Sequence, residues 1–236
     1  MAAEPVIPDF GEGSACVTQN RTFSTDWVRE NWDPVLQPAL VEHIELTAIA
    51  VGIGFAISLC AALLAHRLRY VERPFALASA VIYTIPSLAL FQLLVPVTGL
   101  TVTTVEIALV GYTLLILFRN ILAGLRSAPP EVLEAARGMG LTRTQTLFRV
   151  ELPLALPAIV AGLRVAVVST IALATVAAFV VSEGLGGPIL GALPLNFKTE
   201  IIAAGALAVG LAIFADALLV LAQRLLTPWA YARRAV

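Results

Sequence analysis

The sequence is short of charge. Charged residues occupy 13% of 236 positions and apolar residues 59%, with a mean hydropathy of +0.90. An ordinary soluble domain gives about a quarter of its residues to charge, and a core of this size has no room for so much apolar surface. A water-soluble fold is thereby excluded. The net charge of -1 leaves no electrostatic footprint for nucleic acid. Cysteine is nearly absent: Cys16 lies in a polar tail and Cys60 in an apolar run, which supports neither a disulfide nor a metal pair. Two histidines, His43 and His66, flank the first apolar run without supporting acids or cysteines, so both are expected at interfaces and no metal site is read. No G-x-x-x-x-G-K-[ST] loop occurs, which excludes nucleotide hydrolysis by this chain. Residues 1–43 have no basic n-region or early apolar stretch, and GSAC (13–16) has no hydrophobic lead-in, so neither a cleaved leader nor a lipid-attachment site is expected.

What the sequence has is long apolar runs. A bilayer core about 30 Å thick takes roughly 20 residues of helix, and five windows fit: 46–65, 75–97, 102–123, 158–182 and 201–222. The chain thus reads as an all-α integral membrane protein with about five transmembrane helices. A segment at 1–43 precedes the membrane domain 44–222, an insert occupies 124–157, and a tail follows at 223–236. Basic residues mark the cytoplasmic side. Arg67, Arg69 and Arg73 follow the first span, Arg119, Arg126, Arg137, Arg143 and Arg149 surround the insert, and Arg224, Arg233 and Arg234 close the chain. With five spans these fall on one face, which predicts the N-terminus outside and the C-terminus in the cytoplasm. The acidic segment, Glu106 and the 183–200 loop fall on the other. Trp27, Trp32 and VLQPALVEHIEL suggest an interfacial helix ahead of the first span, with a sixth span as the alternative. GLGGPI (184–189) is too short to cross and is expected to form an outward turn or a re-entrant piece.

The insert is the one long polar phrase, PPEVLEAARGMGLTRTQTLFRVELP (129–153). Pro129 and Pro130 start a helix, Glu131 and Glu134 sit near its positive end, and Ala135 and Ala136 favour it. Gly138 and Gly140 close it, Leu141 follows, and Thr142 with Gln145 reads as a capping box for a second helix that ends ahead of Pro153 and Pro157. Physics alone leaves two readings: a groove-docking hairpin or a well-capped loop.

Glu134-Ala135-Ala136, Gly140 and Leu152-Pro153 resemble the EAA motif of ABC importer permeases. WDPVLQPALVEHIELT (32–47), GLGGPI and the TEIIAAGALAVGLAIFADALL pattern (199–219) resemble the osmoprotectant branch of that family. The resemblance covers nearly the whole chain beyond the first 25 residues or so. It implies a type I ABC importer permease fold in a bacterial plasma (inner) membrane. It also implies transport of glycine betaine, choline, carnitine or related quaternary ammonium compounds. The insert becomes a coupling helix, carried by Glu131, Glu134, Ala135, Ala136, Gly138, Gly140, Leu141, Thr142, Leu152 and Pro153. The implied partners are an ATPase subunit that binds ATP and Mg, a second permease, identical or paralogous, and an extracytoplasmic substrate-binding protein. No cofactor is expected in this chain. Another small solute, such as an amino acid, or a secondary carrier is the alternative, although repeated halves and several intramembrane charges, common in carriers, are not visible.

Inside the spans, Pro86 is expected to bend the second helix beside Ser87, and Tyr83, Phe91 and Tyr112 offer rings to a quaternary ammonium ion. Packing or lipid-facing rings are the plainer reading of each. Asp216 is open to gating or to neutralisation by a nearby arginine, while Arg164 is expected to snorkel to the headgroups or to reach the insert.

Overall fold

The computed structural model describes residues 22–228; Cys16, GSAC, the first acidic residues and the tail arginines Arg233 and Arg234 lie outside them. Helix α1 (Thr25–Glu30) is capped by Ser24. A π turn (Trp32–Leu36) leads into α2 (Gln37–Arg67), followed by α3 (Arg69–Thr84), α4 (Ser87–Thr98) and α5 (Val102–Leu125). The insert forms α6 (Pro130–Gly138) and α7 (Arg143–Thr146), and a second π turn (Leu147–Glu151) runs into α8 (Leu152–Ala177). Short α9 (Gly186–Ala192) and long α10 (Lys198–Leu226) complete the order.

Among the described residues, four continuous helices are long and apolar enough to cross a membrane: 32–67, 102–125, 143–177 and 198–226. The fifth apolar window, expected as one bent helix at 75–97, is a broken pair, α3 and α4, turned by 102°. Ile85 takes ψ 130 and Pro86 ψ 136, so two successive residues are extended. Proline pushes the residue before it out of the helical region, and here it does not return to that region itself. Pro157, by contrast, lies inside unbroken α8.

The interfacial helix expected to lead into the first span is continuous with it. Trp27 stands in α1, but residues 32–43 join the first crossing without interruption, because the π turn re-registers the hydrogen bonds at Asp33-Pro34 instead of ending the helix. The second insert helix likewise does not stop ahead of Pro153. At Leu147–Glu151 the pairing shifts to i→i+5, and Pro153, which has no N–H to place, sits in the first turn of α8.

Helix α5 is the axis of the bundle, with α2 packed on one side and α8 on the other. Near the insert, Leu117, Phe118, Ile121 and Leu125 of α5 meet Ala62 and Ala65 of α2 and Ala155 and Ile159 of α8. At the opposite end Val105, Ala108 and Leu109 meet Leu46, Ala50, Ala174 and Phe91. Small residues on α2 and α8 let the backbones approach, as membrane packing requires when lipid tails are as apolar as leucine. The outermost crossing is α10, which buries only Thr199, Ala203 and Ala204.

Candidate functional site

Two places bring the singled-out residues together: the insert, and the broken span at the middle of the bundle. In the insert, Pro130 begins α6 and Met139 caps it. Gly140 then adopts φ +79, the left-handed conformation that favours glycine, while Gly138 has no positive φ and stands in open space. The capping box is complete: Thr142 Oγ1 accepts from Gln145 N (3.3 Å) and Thr142 N donates to Gln145 Oε1 (2.8 Å). Glu131, Glu134, Ala135, Gly138, Gly140 and Thr142 are exposed, with Leu141, Leu152 and Pro153 half-buried. Ala136 is the exception, turned inward at 1% exposure. Its lack of bulk lets α6 approach the chain beneath it, so it belongs to the hairpin's inner face. Val132, Met139 and Phe148, large apolar side chains on a polar insert, are exposed.

The insert is tied to the bundle by side-chain contacts that spacing did not reveal. Glu151 bonds His66 Nε2 at 2.9 Å, and Arg126 forms a two-pronged pair with Glu72 (3.0 and 2.7 Å), joining the end of α5 to the start of α3. The adjoining carboxylate pushes the Arg126 guanidinium further up, so it stays charged. Residues 143–177 form one continuous rod, so the insert shares a backbone with a helix packed directly on α5.

At the broken span, a cavity of about 470 Å³ is lined by Tyr83, Pro86 and Ser87, Tyr112 and Thr113 of α5, and Ser169 and Thr170 of α8. Tyr83 and Tyr112 meet edge to face, with ring centroids 6.0 Å apart. Four of the five expected pathway residues are therefore together. Phe91 is not: it is fully buried in the opposite-end core against α5, because the 102° turn carries α4 away from the cavity. Thr113, Ser169 and Thr170 were missed, although each is a hydroxyl in an otherwise apolar span. The Tyr112 hydroxyl donates to the Ile85 carbonyl at the break. An exposed helix end inside a membrane has no water to satisfy it. Tyr112→Phe is therefore expected to leave that carbonyl unpaired and to lower stability by about 1–3 kcal/mol, read as a fall in thermal midpoint in detergent; an unchanged midpoint would show that the break needs no brace.

Three charged or polar residues have surroundings that the sequence did not reveal. His43 is not interfacial but wholly buried: Nε2 is 3.0 Å from the Ile171 carbonyl and Nδ1 accepts from Leu185 N at 3.2 Å. Next to it, Glu42 accepts from Gly184 N, and Gly184 (φ +67) lets the GLGG turn fold over the pair. Glu106, expected at the outer face, has both carboxylate oxygens buried without a hydrogen-bond partner. Arg164 Nε and Nη2 clasp Asp216 at 2.7 and 2.9 Å, which favours the neutralised reading of Asp216.

Comparison with known proteins agrees with this architecture. Residues 50–230 match the family described as the binding-protein-dependent transport system inner membrane component. The chain is 37% identical over 192 residues to the osmoprotectant import permease protein OsmW of Salmonella typhimurium, covering 79% of this chain and 89% of that protein. It is 40% identical over 184 residues to the choline transport system permease protein OpuBD of Bacillus subtilis, covering 78% of this chain and 79% of that one. Among solved structures, an inward-facing conformation of the MetNI methionine ABC transporter superposes with a TM-score of 0.69 at 20% identity, over 91% of this chain and 100% of that chain.

Proposed function

The chain belongs to the family of inner membrane components of binding-protein-dependent transport systems, and from that premise we propose that it carries a quaternary ammonium osmoprotectant such as choline, glycine betaine or carnitine across the membrane. It is the permease subunit of an ABC importer, with ATP hydrolysis in a separate chain. The observation that carries the coupling part of the proposal is the continuity of the insert with α8. A partner ATPase seated on residues 131–152 pushes on a hairpin whose second arm runs as one helix into the core. The exposed Val132, Met139 and Phe148 give that partner apolar anchors amid charge. ATP and Mg bind in that partner; a substrate-binding protein meets the opposite end of the bundle; and a second permease, identical or paralogous, completes the pathway. The gathering of arginines at the insert end supports an N-terminus outside and a C-terminus in the cytoplasm.

Support for the solute class comes from the names of the two relatives and from the rings at the broken span. Tyr83 is 44% exposed and stands beside Tyr112 at the cavity mouth. A quaternary ammonium ion on an aromatic face gains about 0.5–2 kcal/mol. The test is uptake into proteoliposomes holding the chain with its genomically adjacent ATPase and binding protein. ATP-dependent accumulation of labelled choline, glycine betaine or carnitine is expected. Accumulation of methionine alone sinks the osmoprotectant reading, and uptake that ignores ATP sinks the coupling. In the same assay Tyr83→Ala is expected to raise KM by roughly 2- to 30-fold, the factor equivalent to one ring's cation–π contribution; an unchanged KM removes the ring from the pathway.

A further inference from the structure

A second and larger cavity lies outside the broken span. It measures about 880 Å³, within the range of small-molecule sites, and opens between the insert and the corner that joins α2 to α3. Three stretches of chain far apart in sequence send arginines to it: Arg67 and Arg69 from the corner, Arg126 from the end of α5, and Arg137 and Arg143 from the insert. Against these five the lining holds one carboxylate, Glu151, which His66 already engages at 2.9 Å. Glu72 answers Arg126, and Arg67 reaches a neutral hydroxyl, Thr144 Oγ1, at 3.3 Å. Among the described residues, Arg137 and Arg143 form no ion pair.

Like charges converging from three stretches of chain on one concavity repel, and the repulsion falls when something of opposite sign enters. The guanidinium is planar and presents paired N–H groups that match the oxygens of a phosphate. We propose that this cavity binds a phosphate-bearing anion, held between Arg137 and Arg143 of the insert and Arg67 and Arg69 of the α2–α3 corner. Such a ligand bridges the coupling hairpin to the first two crossings, so its occupancy stiffens the hairpin against the bundle. The site holds whatever solute is carried. The phosphate comes from one of two sources, an anionic lipid headgroup or a soluble phosphate compound, and the chemistry in the cavity is the same for both.

The experiment uses the full chain in uncharged detergent at low ionic strength. Phosphatidylglycerol and phosphatidylcholine retained through purification are counted by native mass spectrometry, and inorganic phosphate is titrated while the thermal midpoint is followed. Wild type is compared with Arg137→Gln/Arg143→Gln and with Arg224→Gln, a control at the same end of the bundle outside the cavity. The expected result is retention of phosphatidylglycerol over phosphatidylcholine, or a midpoint raised by phosphate. Either response falls at least about tenfold in apparent affinity in the double variant, persists in Arg224→Gln, and weakens as added salt screens the arginines. Phosphatidylglycerol retained with no response to phosphate assigns the site to lipid; a response to phosphate that displaces the lipid assigns it to a soluble anion. A double variant that matches wild type in both measurements overturns the proposal. So does a folded, monodisperse wild type that responds to neither probe. Ligand-free midpoints of the variants separate lost binding from lost folding.

Discussion

Gly140→Val is expected to cut ATP-driven uptake at least about tenfold while leaving the amount of protein in the membrane unchanged. The residue stands at φ +79, where a non-glycine side chain strains the backbone by about 1–3 kcal/mol. Nothing lies within 4 Å of a Cβ added there, so the strain is not one of crowding and the core packing is not touched. Relief comes by opening the turn. That swings α6 away from the Thr142 cap and changes the angle between the two arms of the insert. Gly138→Ala is the matched control. It lies two residues away, with open space around it and no positive φ, and alanine there favours the helix by about 0.5–1 kcal/mol. Asparagine tolerates the left-handed region better than other side chains, so Gly140→Asn should retain part of the activity. Uptake by the valine variant equal to wild type would remove the corner from the coupling mechanism.

How much of this was legible in the sequence follows from how local each determinant is. The Thr142–Gln145 box, the glycine corner and the central crossing at 102–125 could be read because composition within a few residues decides them. Span ends were read short: 46–65 was expected where α2 runs Gln37–Arg67, since uncharged windows measure the lipid-facing stretch and not the helix. Proline shows the limit most clearly. Pro86 and Pro157 both sit in apolar runs, yet one breaks its helix and the other does not. The difference rests on the extended Ile85 and on a hydroxyl from Tyr112, 27 residues away. His43 was misplaced for the same reason. It looked like the flank of a span, and only partners such as Ile171, 128 residues distant, take the histidine inside.

The other large effect is expected at Arg164 and Asp216, two crossings joined by one charge pair. Each side chain is about a third exposed, at 34% and 36%, on the chain taken alone. What covers that surface in a membrane is lipid or protein rather than bulk water, so each charge depends on the pair for much of its stabilisation. Arg164→Leu and Asp216→Leu are each expected to lower the yield of folded, detergent-extractable protein on the order of tenfold. The double leucine variant removes both charges and leaves none to bury, so its yield should return close to wild type, because hydrophobic replacement of a whole ion pair is often neutral. Yield is read by fluorescence-detected size exclusion. Single variants as abundant as wild type would show that the pair holds nothing together. If the double variant is abundant but fails to transport, the pair does more than join α8 to α10. It then breaks or shifts during the cycle, which fits its position on the same rod that begins in the insert.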